Sequence, residues 1–135
     1  GLPDAAVGAV LDAVSRRGPA DGRGVVQFDG VCGGALNRIG ARETAFVHRD
    51  SAFLAQYLAY WPEPAPPGAV GRQQAWLDGL WRALRPWAGG SAYQNYADPR
   101  LAGWREAYYG ANLARLEEVK RAVDPDRLFS FPQGV

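Results

Sequence analysis

The stretch from Ala52 to Trp61 constrains the fold more than any other. Phe53, Leu54, Tyr57, Leu58, Tyr60 and Trp61 make it apolar almost throughout. Such a run reads as a strand covered on both faces, so the chain must supply elements to cover it. Gln56 is the exception. A polar amide there either finds partners in the core or points into a site, and the residues alone favour the satisfied core amide. Pro62 to Gly71 follows, with four prolines and two glycines. That composition excludes both helix and central strand and predicts a loop throughout.

The covering elements follow from periodicity. Residues 3–17 predict an amphipathic helix, with Val7, Val10, Leu11 and Val14 inward and Gly18-Pro19 as its stop. Val25 to Cys32 predicts a strand, with Val26, Phe28 and Cys32 on one face and Gln27 and Asp29 on the other. Gly33-Gly34 marks a bulge, a close approach or a plain bend, and Ala35 to Ile39 is expected to continue the strand. Thr44 to Arg49 predicts a further strand. Residues 72–85 predict a helix with an apolar stripe of Trp76, Leu77, Leu80, Trp81 and Leu84. Ser91 to Tyr96 predicts another strand, and Leu101 to Tyr109 a short helix stopped by Gly110. Asn112 is expected to cap a helix over 113–122. Asp124-Pro125-Asp126 makes a turn, and Leu128, Phe129 and Phe131 are expected to anchor the tail. Helix and strand runs are segregated. The expected class is α+β: an antiparallel sheet with helices packed on one face, residues 1–135 forming a single domain.

Several function classes are excluded. Fifteen basic and fourteen acidic residues give a net charge of +1, with no basic stripe for nucleic acid. No apolar run approaches the ~18 residues of a membrane-spanning helix. Cys32 is the only cysteine and His48 the only histidine. An internal disulfide, a cysteine metal cage and a zinc-binding histidine pair are therefore ruled out, and no metal is expected. Cys32 reads as a small buried thiol. No Gly-x-Ser-x-Gly elbow occurs, and no Gly-rich loop joins a strand to a helix. Glu106, Glu117 and Glu118 read as solvated helix surface. The remaining candidates are Tyr93, Asn95, Tyr96 and Gln56. A tyrosine serves as a base or orienting donor when its environment allows; its bland role is core packing with the hydroxyl satisfied. On a regular strand Tyr93 and Tyr96 point to opposite faces, so only a bulge would bring both to one pocket.

The motifs carry a resemblance. Tyr93-Gln94-Asn95-Tyr96, followed by Asp124-Pro125, Phe129 and Pro132-Gln133, resembles the C-terminal end of the berberine-bridge-enzyme-like FAD-linked oxidases, of the vanillyl-alcohol-oxidase flavin superfamily. Val26 to Ala35, Thr44 to Asp50, Gln56 to Trp61, Trp104 to Gly110 and Asn112 to Lys120 are similar to that family in the same order. The resemblance implies part of a substrate domain whose antiparallel sheet covers a flavin. It implies Tyr96 as catalytic base, Tyr93 and Gln56 as substrate contacts, and Asn95 facing the cofactor. Glutamine is no base, so Gln56 would only orient. The implied reaction is hydride transfer from a small organic substrate to FAD, proton removal by a tyrosinate, and reoxidation by oxygen to give peroxide. The family's FAD-binding half precedes this region, and the sequence shows none of its motifs. The expectation is a C-terminal piece that binds no FAD and is inactive alone. Its expected partner is an FAD-binding domain, a second chain, or another copy through an exposed face. The alternative is a free-standing, non-catalytic module that binds a small molecule or a partner.

Overall fold

The computed structural model describes residues 1–31 and 33–135. Cys32, expected as a buried thiol on the first strand, lies outside the described residues. The chain divides into two compact units, Gly1–Gly30 with Ala52–Gly89, and Val31–Ser51 with Gly90–Val135.

The first unit holds α1 (Asp4–Ser15), β1 (Gly24–Gly30), β2 (Phe53–Ala59) and α2 (Ala69–Leu84). The strands pair antiparallel, with Val26 opposite Tyr57 and Gln27 opposite Gln56. Because side chains alternate, Val26, Phe28, Ala55 and Tyr57 share one face, and Val25, Gln27, Asp29, Leu54, Gln56 and Leu58 the other. Ala6, Leu80 and Leu84 form the buried core, and Ala9, Val10, Ala13, Val26, Tyr57 and Trp76 pack against it. Both helices therefore lie on the Val26–Tyr57 face, which is the expected α+β arrangement. The closure expected on both sides of β2 is incomplete: Leu54 to Ala59 are all half-buried.

Three local expectations change in this unit. α1 buries Ala6 and packs Ala9, Val10 and Ala13, leaving Val7, Leu11 and Val14 exposed. The helix is apolar on most sides, so its period does not select a face, and alanines permit closer approach to α2 than valine or leucine would. α2 begins at Ala69, inside the stretch expected to be loop, after Gly68 turns the chain at φ 73°. Trp76 is packed, its Nε1 donating to the Ala13 carbonyl at 2.9 Å. Trp81, read as core, is exposed and lies 5.5 Å from the Arg85 guanidinium. A buried amide supplies what the sheet does not. Gln73 Nε2 donates to the carbonyls of Asp21 and Tyr60, and its Oε1 accepts from Arg17 at 2.7 Å.

The second unit holds α3 (Trp104–Tyr109) and α4 (Leu113–Val123). The strands expected over Thr44 to Arg49 and Ser91 to Tyr96 do not form, and Ala35–Arg38 is a 3-10 turn. Side chains satisfy carbonyls of Leu36, Thr44 and Phe46 in place of a ladder, while Ala92 and Tyr96 donate to the backbone carbonyls of Ala107 and Tyr93. Asn112 does not cap α4 with its side chain. It is buried, and its Nδ2 donates to the carbonyls of Ala41 at 2.7 Å and Thr44 at 3.0 Å. Gln133 is also buried, its Nε2 donating to the Asp98 carbonyl at 2.7 Å. The Tyr108 hydroxyl accepts from the Asp98 N–H at 2.8 Å, and Tyr109 donates to the Gln133 carbonyl at 3.0 Å. The tail anchor is therefore polar. Leu128 and Phe129, expected to fill it, are 79% and 77% exposed. Asp124 accepts instead from the N–H groups of Leu128 and Phe129, and Lys120 bridges Asp124 to the Phe129 carbonyl.

The face chosen by α1 and α2 is testable by denaturant unfolding. Leu80→Ala should cost about 2–5 kcal/mol, and Leu11→Ala less than about 0.5 kcal/mol. A reversed order would mean that α1 packs through the wrong face.

Candidate functional site

The aromatic cluster of the second unit starts from a turn. The Tyr96 N–H donates to the Tyr93 carbonyl at 3.0 Å, so the two side chains are related as i and i+3 across a turn and not along a strand. The constraint that would have separated them does not apply. Their rings meet edge-to-face at 5.3 Å and 86°. Asn95 Nδ2 donates to the Tyr93 hydroxyl at 2.7 Å. Tyr93 is half-buried and Tyr96 is 54% exposed. Beneath them, Phe46 lies edge-to-face with Tyr93 at 5.9 Å and with His48 at 5.4 Å. The structure thus brings Tyr93, Asn95 and Tyr96 together on one turn.

Gln56 belongs to the first unit, on the sheet face away from the helices. It is half-buried, and its Nε2 donates to Asp29 Oδ2 at 3.1 Å. Gln27 Nε2 donates to both oxygens of the same carboxylate, at 3.0 and 3.2 Å. Asp29 is the group that sequence reasoning passed over. The alternation placed it opposite Val26 and Phe28, but only the register sets Gln56 beside it. A carboxylate held by two amides is an oriented acceptor for a hydroxyl or a proton.

His48 lines a cleft of about 280 Å3 with Val47, Asp50, Ser51, Ser91, Glu106 and Gly110. Burial pushes its imidazole below the usual histidine range, against the carbonyls of Tyr108 and Ala92, which favour the charged form. Its Nε2 is buried and has no hydrogen-bond partner among the described residues. Gly110 ends α3 at φ 45°, where a Cβ would come 3.4 Å from Val47. Among the described residues, no group of three or more His, Cys, Asp or Glu side chains could hold a metal. No helix there is long and apolar enough to cross a membrane. For a flavin, the exposed Tyr96 ring and the Asn95 amide suit the flat heteroaromatic end. Among the described residues, no Gly-rich loop leads from a strand into an α-helix to take the pyrophosphate.

The family model described as "Berberine and berberine like" matches residues 92–135, the segment that carries this turn. An uncharacterized FAD-linked oxidoreductase YgaK of Bacillus subtilis is 35% identical over 103 residues, 76% of this chain and 22% of that protein. A carbohydrate oxidase of Microdochium nivale is 34% identical over 104 residues, 74% of this chain and 21% of that protein. Among solved structures, wild-type Physcomitrella patens BBE-like 1 superposes with a TM-score of 0.81 at 31% identity, covering 100% of this chain and 28% of that one. The chain spans about a fifth of the length of the curated relatives it matches. It belongs to the berberine-bridge-enzyme-like family, as the counterpart of the C-terminal part of its members.

The lowered imidazole fixes the sign of a pH dependence. The unfolded chain takes up the proton first, near the ordinary value of 6.5. The stability due to neutral His48 is therefore complete above that value and is lost as pH falls through the folded one. A urea midpoint measured from pH 7 downward should fall, and His48→Gln should flatten the slope. As the sole histidine, His48 is read directly by NMR titration; a folded value at or above 6.5 would contradict the burial.

Proposed function

We propose that this chain is the C-terminal portion of an FAD-dependent oxidase, where it covers the flavin and lines the substrate pocket. The observation that carries this reading is the Tyr96 ring. It is open to a ligand, braced edge-on by Tyr93, and lies within the segment matched to the family. Flavin, when bound, supplies the acceptor for a hydride from a substrate carbon and is regenerated by oxygen. Tyr96 serves as the base toward the substrate hydroxyl. The Tyr93 hydroxyl, oriented by Asn95, would contact substrate, and Asn95 would help hold the flavin. On the sheet, Gln56 orients without acting as a base. Its partner Asp29 adds a fixed acceptor. That amide-and-carboxylate face suits a hydroxyl-bearing substrate, the class named in the Microdochium nivale carbohydrate oxidase.

The partner in this reading is the domain or second chain that holds FAD. Val119, Val123, Leu128, Phe129 and Phe131 are all exposed on the second unit. Apolar side chains gathered on α4 and the tail favour a protein–protein contact. Another copy of the chain is the competing occupant.

Anaerobic stopped-flow of the flavin-loaded full-length protein tests the chemistry. Tyr96→Phe should slow flavin reduction by at least about tenfold. A wild-type rate would remove Tyr96 from the mechanism.

A further inference from the structure

Among the described residues, Arg49 is a buried cation outside the ion pairs. It is 9% exposed. A guanidinium keeps its charge at any ordinary pH, and an unpaired buried charge is costly unless hydrogen bonds surround it. Here they do. Its Nε donates to the Phe46 carbonyl at 3.1 Å, one terminal nitrogen to the Leu36 carbonyl at 3.2 Å, and the other to the Thr44 hydroxyl. The Arg49 carbonyl in turn accepts from Asn37 Nδ2. The guanidinium carbon also sits 4.9 Å from the centre of the Phe46 ring, where the ring quadrupole attracts it. Arg49 thus holds both the backbone and the ring of Phe46.

The Phe46 ring is the hub of the cluster. Arg49 approaches it at 4.9 Å, His48 at 5.4 Å and 83°, and Tyr93 at 5.9 Å and 84°. Tyr93 then carries Tyr96 at 5.3 Å. Each edge-to-face contact fixes an orientation as well as a distance. Tyr96 is more than half exposed, and its ring packs against Tyr93, which in turn packs on Phe46.

We propose that Phe46, clamped by the unpaired Arg49 guanidinium, is the positioning residue for the Tyr93–Tyr96 pair. Phe46 acts through Tyr93, by setting the angle at which Tyr96 is presented. Its effect on catalysis rests on the functional reading above; its effect on the two rings does not.

Fluorine NMR of the chain labelled with 3-fluorotyrosine separates the two, with signals assigned from single Tyr→Phe variants. In Phe46→Leu the Tyr93 and Tyr96 resonances should move toward the free amino-acid position. Those of Tyr108 and Tyr109, in the same unit, should stay. Arg49→Lys, which keeps charge but loses the planar fork, should move the same two signals by a smaller amount. Unmoved Tyr93 and Tyr96 signals in folded Phe46→Leu would overturn the proposal. So would collapse of all four signals in both variants, because that describes general packing. In the flavin-loaded full-length protein, Phe46→Leu should lower the limiting rate of flavin reduction about tenfold with KM within about twofold, and Phe46→Tyr should restore the rate. A slow Phe46→Tyr would overturn the role of the ring. Moved signals together with a wild-type rate in Tyr96→Phe would sink the reading of Tyr96 as base and leave the positioning of the rings standing.

Discussion

Backbone carbonyls buried outside helices and strands need donors, and in this chain long-range side chains provide them. Among the described residues only two strands pair, and much of the second unit is irregular. An unpaired buried carbonyl costs about as much as a lost hydrogen bond, so such segments are stable only where something donates to them. Asn112 does this for Ala41 and Thr44, Arg49 for Leu36 and Phe46, Gln133 for Asp98, and Gln73 for Asp21 and Tyr60. Asn112, Gln133 and Gln73 reach across sequence to loops far from them, whereas Arg49 lies in the irregular stretch that it supports. Apolar burial is thin by comparison, with Ala6, Leu80, Leu84 and Tyr108 the buried hydrophobic residues described.

This construction explains how Tyr96 is both exposed and ordered. The Asp98 backbone, two residues beyond it, is held at its N–H by Tyr108 and at its carbonyl by Gln133. On the other side, Tyr93 is braced by Phe46 and Asn95. A ring left open to a ligand needs such support from neighbours that are themselves locked. The Pro132-Gln133 ending, which the motif reading treats as part of a family pattern, has a concrete structural role here: Gln133 fastens the end of the chain to the residues that follow the turn.

The sheet carries polar chemistry of a different origin. Gln27, Asp29 and Gln56 share the face away from the helices because period-two alternation and register agree. Asp29 gains its setting from Gln56, which lies 27 residues away in sequence. A carboxylate between two amides has its lone pairs directed before any ligand arrives, which lowers the reorganisation needed on binding.

Local chemistry in the sequence determined the helices over 4–15, 69–84, 104–109 and 113–123 to within a few residues, because proline, glycine and 3.6-residue spacing act through near neighbours. It also determined that Gln27 and Asp29 lie on the strand face opposite Val26 and Phe28, and the motifs from Tyr93 to Gln133 that disclose the family. Tertiary structure alone decided whether the aromatic segments became strands. Thr44 to Arg49 and Ser91 to Tyr96 have strand-like composition, but a strand exists only with a partner ladder; here Asn112 and Arg49 donate to the Thr44 and Phe46 carbonyls, and the Ala92 and Tyr96 N–H groups donate to the carbonyls of Ala107 and Tyr93. It decided equally which side of an almost uniformly apolar α1 is buried, because a helix with apolar residues around most of its circumference carries no local signal for its inner face.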